Sequence, residues 1–286
     1  MDELTALSLT NAKLTGRRLT DLIQGARTAS IRTLDASGNT LNTAGALQTL
    51  QATFPHLTTL TLRRNDLHDE RAFDVAPLAR LQLLDLSENP LTADTLRGLW
   101  FTQALGHVHT LLLAKAGLDE THAHGFAHIA AHGMPALRHL DLSGNSLSGG
   151  GLWDLAESPL LTSLSSLDLS RNGLFWRDLR GFTTAVPTMG LDTLKLDENT
   201  LEDESIPFLL KWSALRDLQT LSLARNRITD RGAHQLAEAP WLGSLTRLDL
   251  SDNSIGNAGA QALRDALGAR WSSVLILRGN TGRRPL

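Results

Sequence analysis

The chain is expected to fold as one α/β solenoid domain spanning residues 1–286, a horseshoe with parallel strands on its concave face and helices on its convex face. Three observations carry this expectation. The pattern L-x-x-L-x-L-x-x-N-x-L recurs in about eleven repeats, starting at positions 4, 31, 57, 81, 108, 137, 164, 191, 218, 245 and 272. The interval between starts stays between 24 and 29 residues and is most often 27, which marks a stacked array. Each repeat also joins a two-residue apolar alternation to a three-residue one, so a strand and a helix alternate along the chain. No single repeat can bury its apolar face alone, so the array forms one continuous core.

Within a repeat, Leu245 to Ile255 serves as the example. The alternation at Leu248 and Leu250 predicts a short strand with one face in and one face out. Arg247, Asp249, Ser251 and Asp252 then line the outward, concave face. The Asn that follows turns inward, because its amide donates and accepts at once and satisfies backbone groups in a turn that has left the sheet. The ladder reads Asn39, Asn65, Asn89, Asn145, Asn172, Asn199, Asn226, Asn253 and Asn280, and Ala12 and Ala116 interrupt it. Beyond the Asn, apolar residues recur at spacing three, as in Leu152 with Leu155, Leu179 with Phe182, Ile206 with Leu209 and Ala233 with Leu236, the buried stripe of a helix. A helix is wider than a strand, so the stack has to curve.

These residues resemble the leucine-rich repeat family, and the repeat length near 27 residues is similar to its ribonuclease-inhibitor-like class. Gly232-Ala233-His234-Gln235-Leu236-Ala237 and Gly259-Ala260-Gln261-Ala262-Leu263 are similar to the bacterial GALA-type repeats. The resemblance covers essentially the whole chain. It implies a leucine-rich repeat solenoid and a module that binds other proteins. Ubiquitin-ligase relatives carry an F-box or a catalytic cysteine, and neither is expected here.

Composition narrows the function further. An apolar fraction of 42% suffices for a continuous core, and a formal charge of −3 gives no general attraction to nucleic acid or an anionic membrane. The absence of cysteine excludes disulfides, thiolate metal sites and thioester chemistry. No basic region followed by an apolar run opens the sequence, and no apolar stretch approaches the roughly 20 residues of a membrane span. A cytoplasmic location is expected. Phosphate-loop, zinc-protease, nucleophile-elbow and dinucleotide fingerprints are missing, so no cofactor and no catalysis are expected.

Residues that break a column are the informative ones. Three and four positions after the ladder Asn the column is small or polar, but one repeat places Phe175 and Trp176 there, followed by Arg177. On the rim between strand and helix, this trio has the composition of a binding hot spot. The alternative is local packing over the neighbouring repeat, onto Trp153. The position just before the ladder Asn carries mixed charges, including Arg64, Glu88, Lys115, Arg171, Glu198 and Arg225, and the outward strand position at Lys195 adds another. Mixed signs suit recognition of a protein surface, with ordinary solubilising charge as the alternative.

Asp recurs at the central outward strand position, at Asp35, Asp85, Asp141, Asp168 and Asp249, and reads as a solvated face. His124, His128 and His132 share one helical stripe and form a weak metal candidate. No carboxylate or thiolate completes that site, so no specific metal is expected. Trp100, Trp212, Trp241 and Trp271 read as core or lid residues. Val274 to Leu277 predicts a strand that is apolar on its outward positions too, covered either by the residues after it or by a second copy in a homodimer through terminal strands. The partner is another protein, with no nucleic acid and no membrane. The other readings are a regulator of an enzyme such as a small GTPase and a self-assembling structural element.

Overall fold

A computed structural model describes residues 4–23, 30–41, 54–68, 80–101, 105–122, 134–156, 158, 161, 163–185 and 190–280. The strands occur one per repeat in chain order, and the chain divides into two compact units. The first unit comprises residues 1–145 with 158–160. It holds β1 (Ala6–Ser8), β2 (Thr33–Asp35), β3 (Thr59–Thr61), β4 (Leu83–Asp85), β5 (Thr110–Leu112) and β6 (His139–Asp141), with helices α1 (Gly16–Ile23) and α2 (Ala93–Phe101). Each of these strands pairs in parallel with the next, in a register that puts Leu7, Leu34, Leu60, Leu84, Leu111 and Leu140 in one row.

The second unit comprises residues 146–157 with 161–286. Its strands are β7 (Ser166–Asp168), β8 (Thr193–Lys195), β9 (Thr220–Ser222), β10 (Arg247–Asp249) and β11 (Leu275–Ile276). They too pair in parallel, with Leu167, Leu194, Leu221, Leu248 and Leu275 in one row. Its helices are α3 (Gly150–Ala156), α4 (Trp176–Ala185), α5 (Ile206–Lys211), α6 (Asp230–Ala237), α7 (Asn257–Leu267) and α8 (Trp271–Val274). Leu152, Leu155, Leu179, Phe182, Ile206, Leu209, Ala233, Leu236 and Leu263 are all buried, so the spacing of three does mark the core-facing stripe. The same columns at Ala46, Ala72, Ala123 and Phe126 lie outside the described residues.

The ladder Asn ties each repeat to the one before it. The Asn199 side chain donates from Nδ2 to the carbonyls of Leu169 (3.1 Å) and Leu196 (2.9 Å), while its Oδ1 accepts from the amides of Asn172 (2.9 Å) and Leu174 (3.0 Å). One side chain thus satisfies four backbone groups in two repeats, all in a buried turn. Asn89 and Asn145 repeat the arrangement. Where Ala116 replaces the Asn, the amide of Leu91 donates instead to the Ala116 carbonyl at 3.0 Å.

The Gly-Ala pairs have an equally local cause. Asp203 accepts from the Thr229 amide and hydroxyl of the following repeat, and from the Gly232 amide. A Cβ at Gly232 would collide with that carboxylate. Asp230 accepts from the amides of Gly256 (2.6 Å) and Gly259 (2.8 Å), and a Cβ at Gly259 would lie 2.6 Å from its Oδ1. Two repeats before the Asp203–Gly232 pair the partners trade places: Asp178 occupies the glycine column and accepts from Gly149 at 2.8 Å. The glycines leave room for a neighbour's carboxylate.

Three sequence readings need amendment. Val274 is not an outward strand residue but closes α8 and is buried, and only Leu275 and Ile276 extend, both half-buried. At the start of this helical turn Arg264 lies over the Trp271 ring, 5.0 Å from its centroid. The aspartate column is not merely solvated, since each carboxylate accepts from the backbone amide two residues on, as Asp85 does from Ser87 (2.9 Å) and Asp249 from Ser251 (3.0 Å). Trp212 and Trp241 are buried, as read, whereas Trp271 is 39% exposed; the side chain of Trp100 lies outside the described residues.

Replacing Asn199 with Ala strips two buried amides and two carbonyls of their partner. Urea unfolding should report a loss on the order of 3 kcal/mol. An unchanged midpoint would remove the side chain from its bridging role.

Candidate partner-binding surfaces

The position before each ladder Asn is held in the left-handed backbone region, at φ between 51° and 58° for Arg64, Glu88, Lys115, Arg171, Glu198, Arg225 and Asp252. For a residue with a Cβ this costs roughly 1–2 kcal/mol. The turn is held by an amide bond to the next repeat, as from Arg171 to the Asp197 carbonyl and from Glu198 to the Ala224 carbonyl, both 2.8 Å. The conformation aims successive side chains of the column alongside one another.

That placement explains the mixed signs. In the second unit Arg171 meets Glu198 at 2.6 Å, Glu198 meets Arg225 at 2.8 Å, and Arg225 meets Asp252 at 3.3 Å. Hydrogen bonding from Arg171, and then from Arg225, holds the Glu198 carboxyl below its ordinary value. On the neighbouring outward column Lys195 reaches Asp168 at 3.3 Å. Beside them, burial pushes the Asp197 carboxyl up, with Asp168 and Asp249 adding like charge, although Ser222 Oγ (2.5 Å) and the Ala224 amide (2.7 Å) donate to it. In the first unit Arg63 and Arg64 both close on Glu88, the latter at 2.6 Å.

The aromatic trio sits at the start of α4. Asp178 accepts from the Phe175 amide at 2.9 Å, the reciprocal half of a capping box, and burial raises its carboxyl. Phe175 and Trp176 are half-buried, and Arg177 is exposed with its guanidinium over the Trp176 ring, 5.1 Å from the centroid. Trp176 stacks on Phe208 with centroids 6.4 Å apart and planes 9° from parallel. The indole therefore leans on the following repeat. Trp153 lies elsewhere, 54% exposed, with its indole over Gly181 in the middle of α4.

Trp176 and Phe208 form one wall of an open groove of about 330 Å³, completed by Asp203, Glu204, Pro207, Arg231 and Gln235. Arg231 is tied to Glu204 and, at 3.3 Å, to Asp203. The buried Oε1 of Gln235 has no hydrogen-bond partner. The sequence named Trp176 in this groove and missed Pro207 and Phe208, which break neither of the apolar helix columns that the repeat pattern defines.

His122 is turned onto Asp119 at 2.7 Å, and hydrogen bonds from Thr121 and then His122 bring that carboxyl down to about 2. The stripe His124, His128 and His132 lies outside the described residues. Among the described residues, no group of three or more His, Cys, Asp or Glu is set to hold a metal ion. No described helix is long and apolar enough to cross a membrane.

The charge row has a pH signature. The folded Glu198 carboxyl titrates below its ordinary value of 4.5. Its contribution is full above that value and disappears as pH falls through the lowered one. With Glu198 31% exposed, the two pairs together contribute below about 1 kcal/mol. The melting temperature of Glu198→Gln should lie slightly below that of the parent at neutral pH and converge with it in acid; a gap independent of pH would assign Glu198 a packing role instead.

Three stretches match family models. Residues 214–237 and 244–263 match one described as Leucine Rich repeat, and residues 136–157 match a second of the same description. No curated protein matches in sequence. Among solved structures, an internalin from Listeria monocytogenes is similar, with a TM-score of 0.60 and 20% identity over 97% of this chain and 74% of that one. With eleven strands in chain order among the described residues, an asparagine ladder and these matches, the chain carries leucine-rich repeats and has the leucine-rich repeat fold.

Proposed function

We propose that the chain is a non-catalytic protein-binding module that engages its partner through the outward strand positions and the rim at Phe175, Trp176 and Arg177. Leucine-rich repeat proteins are in general protein-interaction modules, and the rim supplies what such an interface uses. The single observation that carries the reading is the groove behind Trp176. Its stacked Trp176 and Phe208, Pro207, and the paired Arg231 and Glu204 bring together an apolar anchor site and a charged margin. Interface energy concentrates in such aromatic and arginine clusters. The Gln235 carbonyl adds an acceptor that a donor from a partner would satisfy.

The charge row takes a narrower role. Arg171, Glu198 and Arg225 are already paired with one another, so each offers a partner only the unpaired part of its charge. They set register and on-rate rather than affinity. Lys195, on the adjoining outward column, is likewise paired, with Asp168.

Capture from native lysate, with the bound proteins identified, should separate the parent from Trp176→Ala/Phe208→Ala. Affinity for the principal partner should drop by about tenfold or more, on the scale of a hot-spot truncation, while circular dichroism stays the same. Equal capture by the folded variant would remove the rim from the interface.

A further inference from the structure

Resting on the protein-binding reading, we propose that the outward face of β3 to β5 docks an acidic segment of a partner protein carrying a large apolar anchor residue. Two leucines break their columns there. The position of Leu83 holds Thr59 and Thr110 on the adjoining strands, and the position of Leu112 holds Asp85 and Asp141. Both leucines are half-buried on the outward face, where the repeat pattern otherwise puts polar groups. They stand diagonally on adjacent strands, about 7–8 Å apart, a gap that one large side chain can bridge. Thr59, Thr61 and Thr110 around them are uncharged.

The margin of this spot decides the sign of the partner. Arg63 and Arg64 share one carboxylate, and they are 47% and 69% exposed where Glu88 is 16% exposed. The anion lies beneath its two cations, and what solvent meets is guanidinium. Asp85 is similarly withdrawn, 8% exposed and turned onto the Ser87 amide. Lys115 is exposed, with its stem against Gly144: a Cβ on that glycine would lie 2.7 Å from Lys115 Cγ. No carboxylate pairs with Lys115 among the described residues. The second unit differs, because Arg171, Glu198, Arg225 and Asp252 alternate and neutralise in turn. Asp141, beside Leu112, is half-buried and turned onto the Ser143 amide at 2.8 Å. An apolar centre with the accessible cations Arg63, Arg64 and Lys115 along one margin favours a carboxylate-rich segment and disfavours a basic one.

The probe is a rhodamine-labelled peptide with a Glu-Glu-Leu-Leu-Glu-Glu core in a glycine-serine frame, read by fluorescence anisotropy at low salt. Two counterparts replace its glutamates by lysine or its leucines by serine. The parent protein should bind the acidic leucine peptide saturably, about tenfold or more tightly than either counterpart, and lose affinity as salt rises. Leu83→Thr/Leu112→Thr and Arg63→Ser/Arg64→Asn substitute residues that the same columns hold in other repeats. Both should melt near the parent temperature and bind about tenfold or more weakly. Trp176→Ala/Phe208→Ala should bind the peptide like the parent. The proposal is overturned if the lysine peptide binds as well, if either folded variant binds like the parent, or if the acidic peptide fails to saturate below about millimolar concentration. A natural partner captured equally by the parent and by Leu83→Thr/Leu112→Thr would leave the protein-binding reading standing and eliminate this docking face.

Discussion

Everything in this fold depends on how one side-chain amide is satisfied. Each strand lasts two or three residues, and the chain then turns out of the sheet inside the core, where backbone groups find no water. The ladder Asn meets that constraint by donating to carbonyls of its own and the preceding repeat and accepting two amides of the preceding one. Only the bond to its own repeat's carbonyl exists in an isolated repeat; the other three need the repeat before it. Ala116 marks the limit of substitution, since the Leu91 amide then needs a backbone carbonyl to replace the missing side chain.

The same turn imposes the left-handed backbone on the residue before the Asn. Glycine would hold that conformation at the least conformational cost, and Gly38, Gly144 and Gly279 do so. Asn11 aside, the other repeats place a charge there, and since the turn points successive side chains along one row, opposite signs pair. The Asp178, Asp203 and Asp230 carboxylates bridge repeats on the helix side by a comparable device, with the glycine column shaped to admit them. Repeats are thus held together by side chain to backbone bonds on both sides of the core, and the leucine rows fill the space between.

Legibility differed between fold and site. The leucine, asparagine and helix columns were readable because each repeat presents the same residue to the same neighbour, so physics recurs as spelling. The aromatic trio was readable as a departure from its column, but its partner was not: Trp176 stacks on Phe208 rather than meeting Trp153. Leu83 and Leu112 carried the same kind of signal in the strand columns, and comparison column by column finds them. The burial of Glu88 beneath two arginines left no such trace, because burial depends on side chains contributed by two strands.

By itself, then, the sequence determined the repeat, its strand-turn-helix order, the buried rows and the absence of thiol chemistry, since these follow from periodicity and residue type. Only the tertiary structure decided which charges are spent on each other and which face solvent. It also decided that the aspartate column binds backbone amides and that the rim aromatics open onto a groove shared with Pro207 and Arg231. Those outcomes rest on distances of a few ångströms between residues some 27 positions apart, and a one-dimensional pattern specifies that two such residues are neighbours without specifying how their side chains meet.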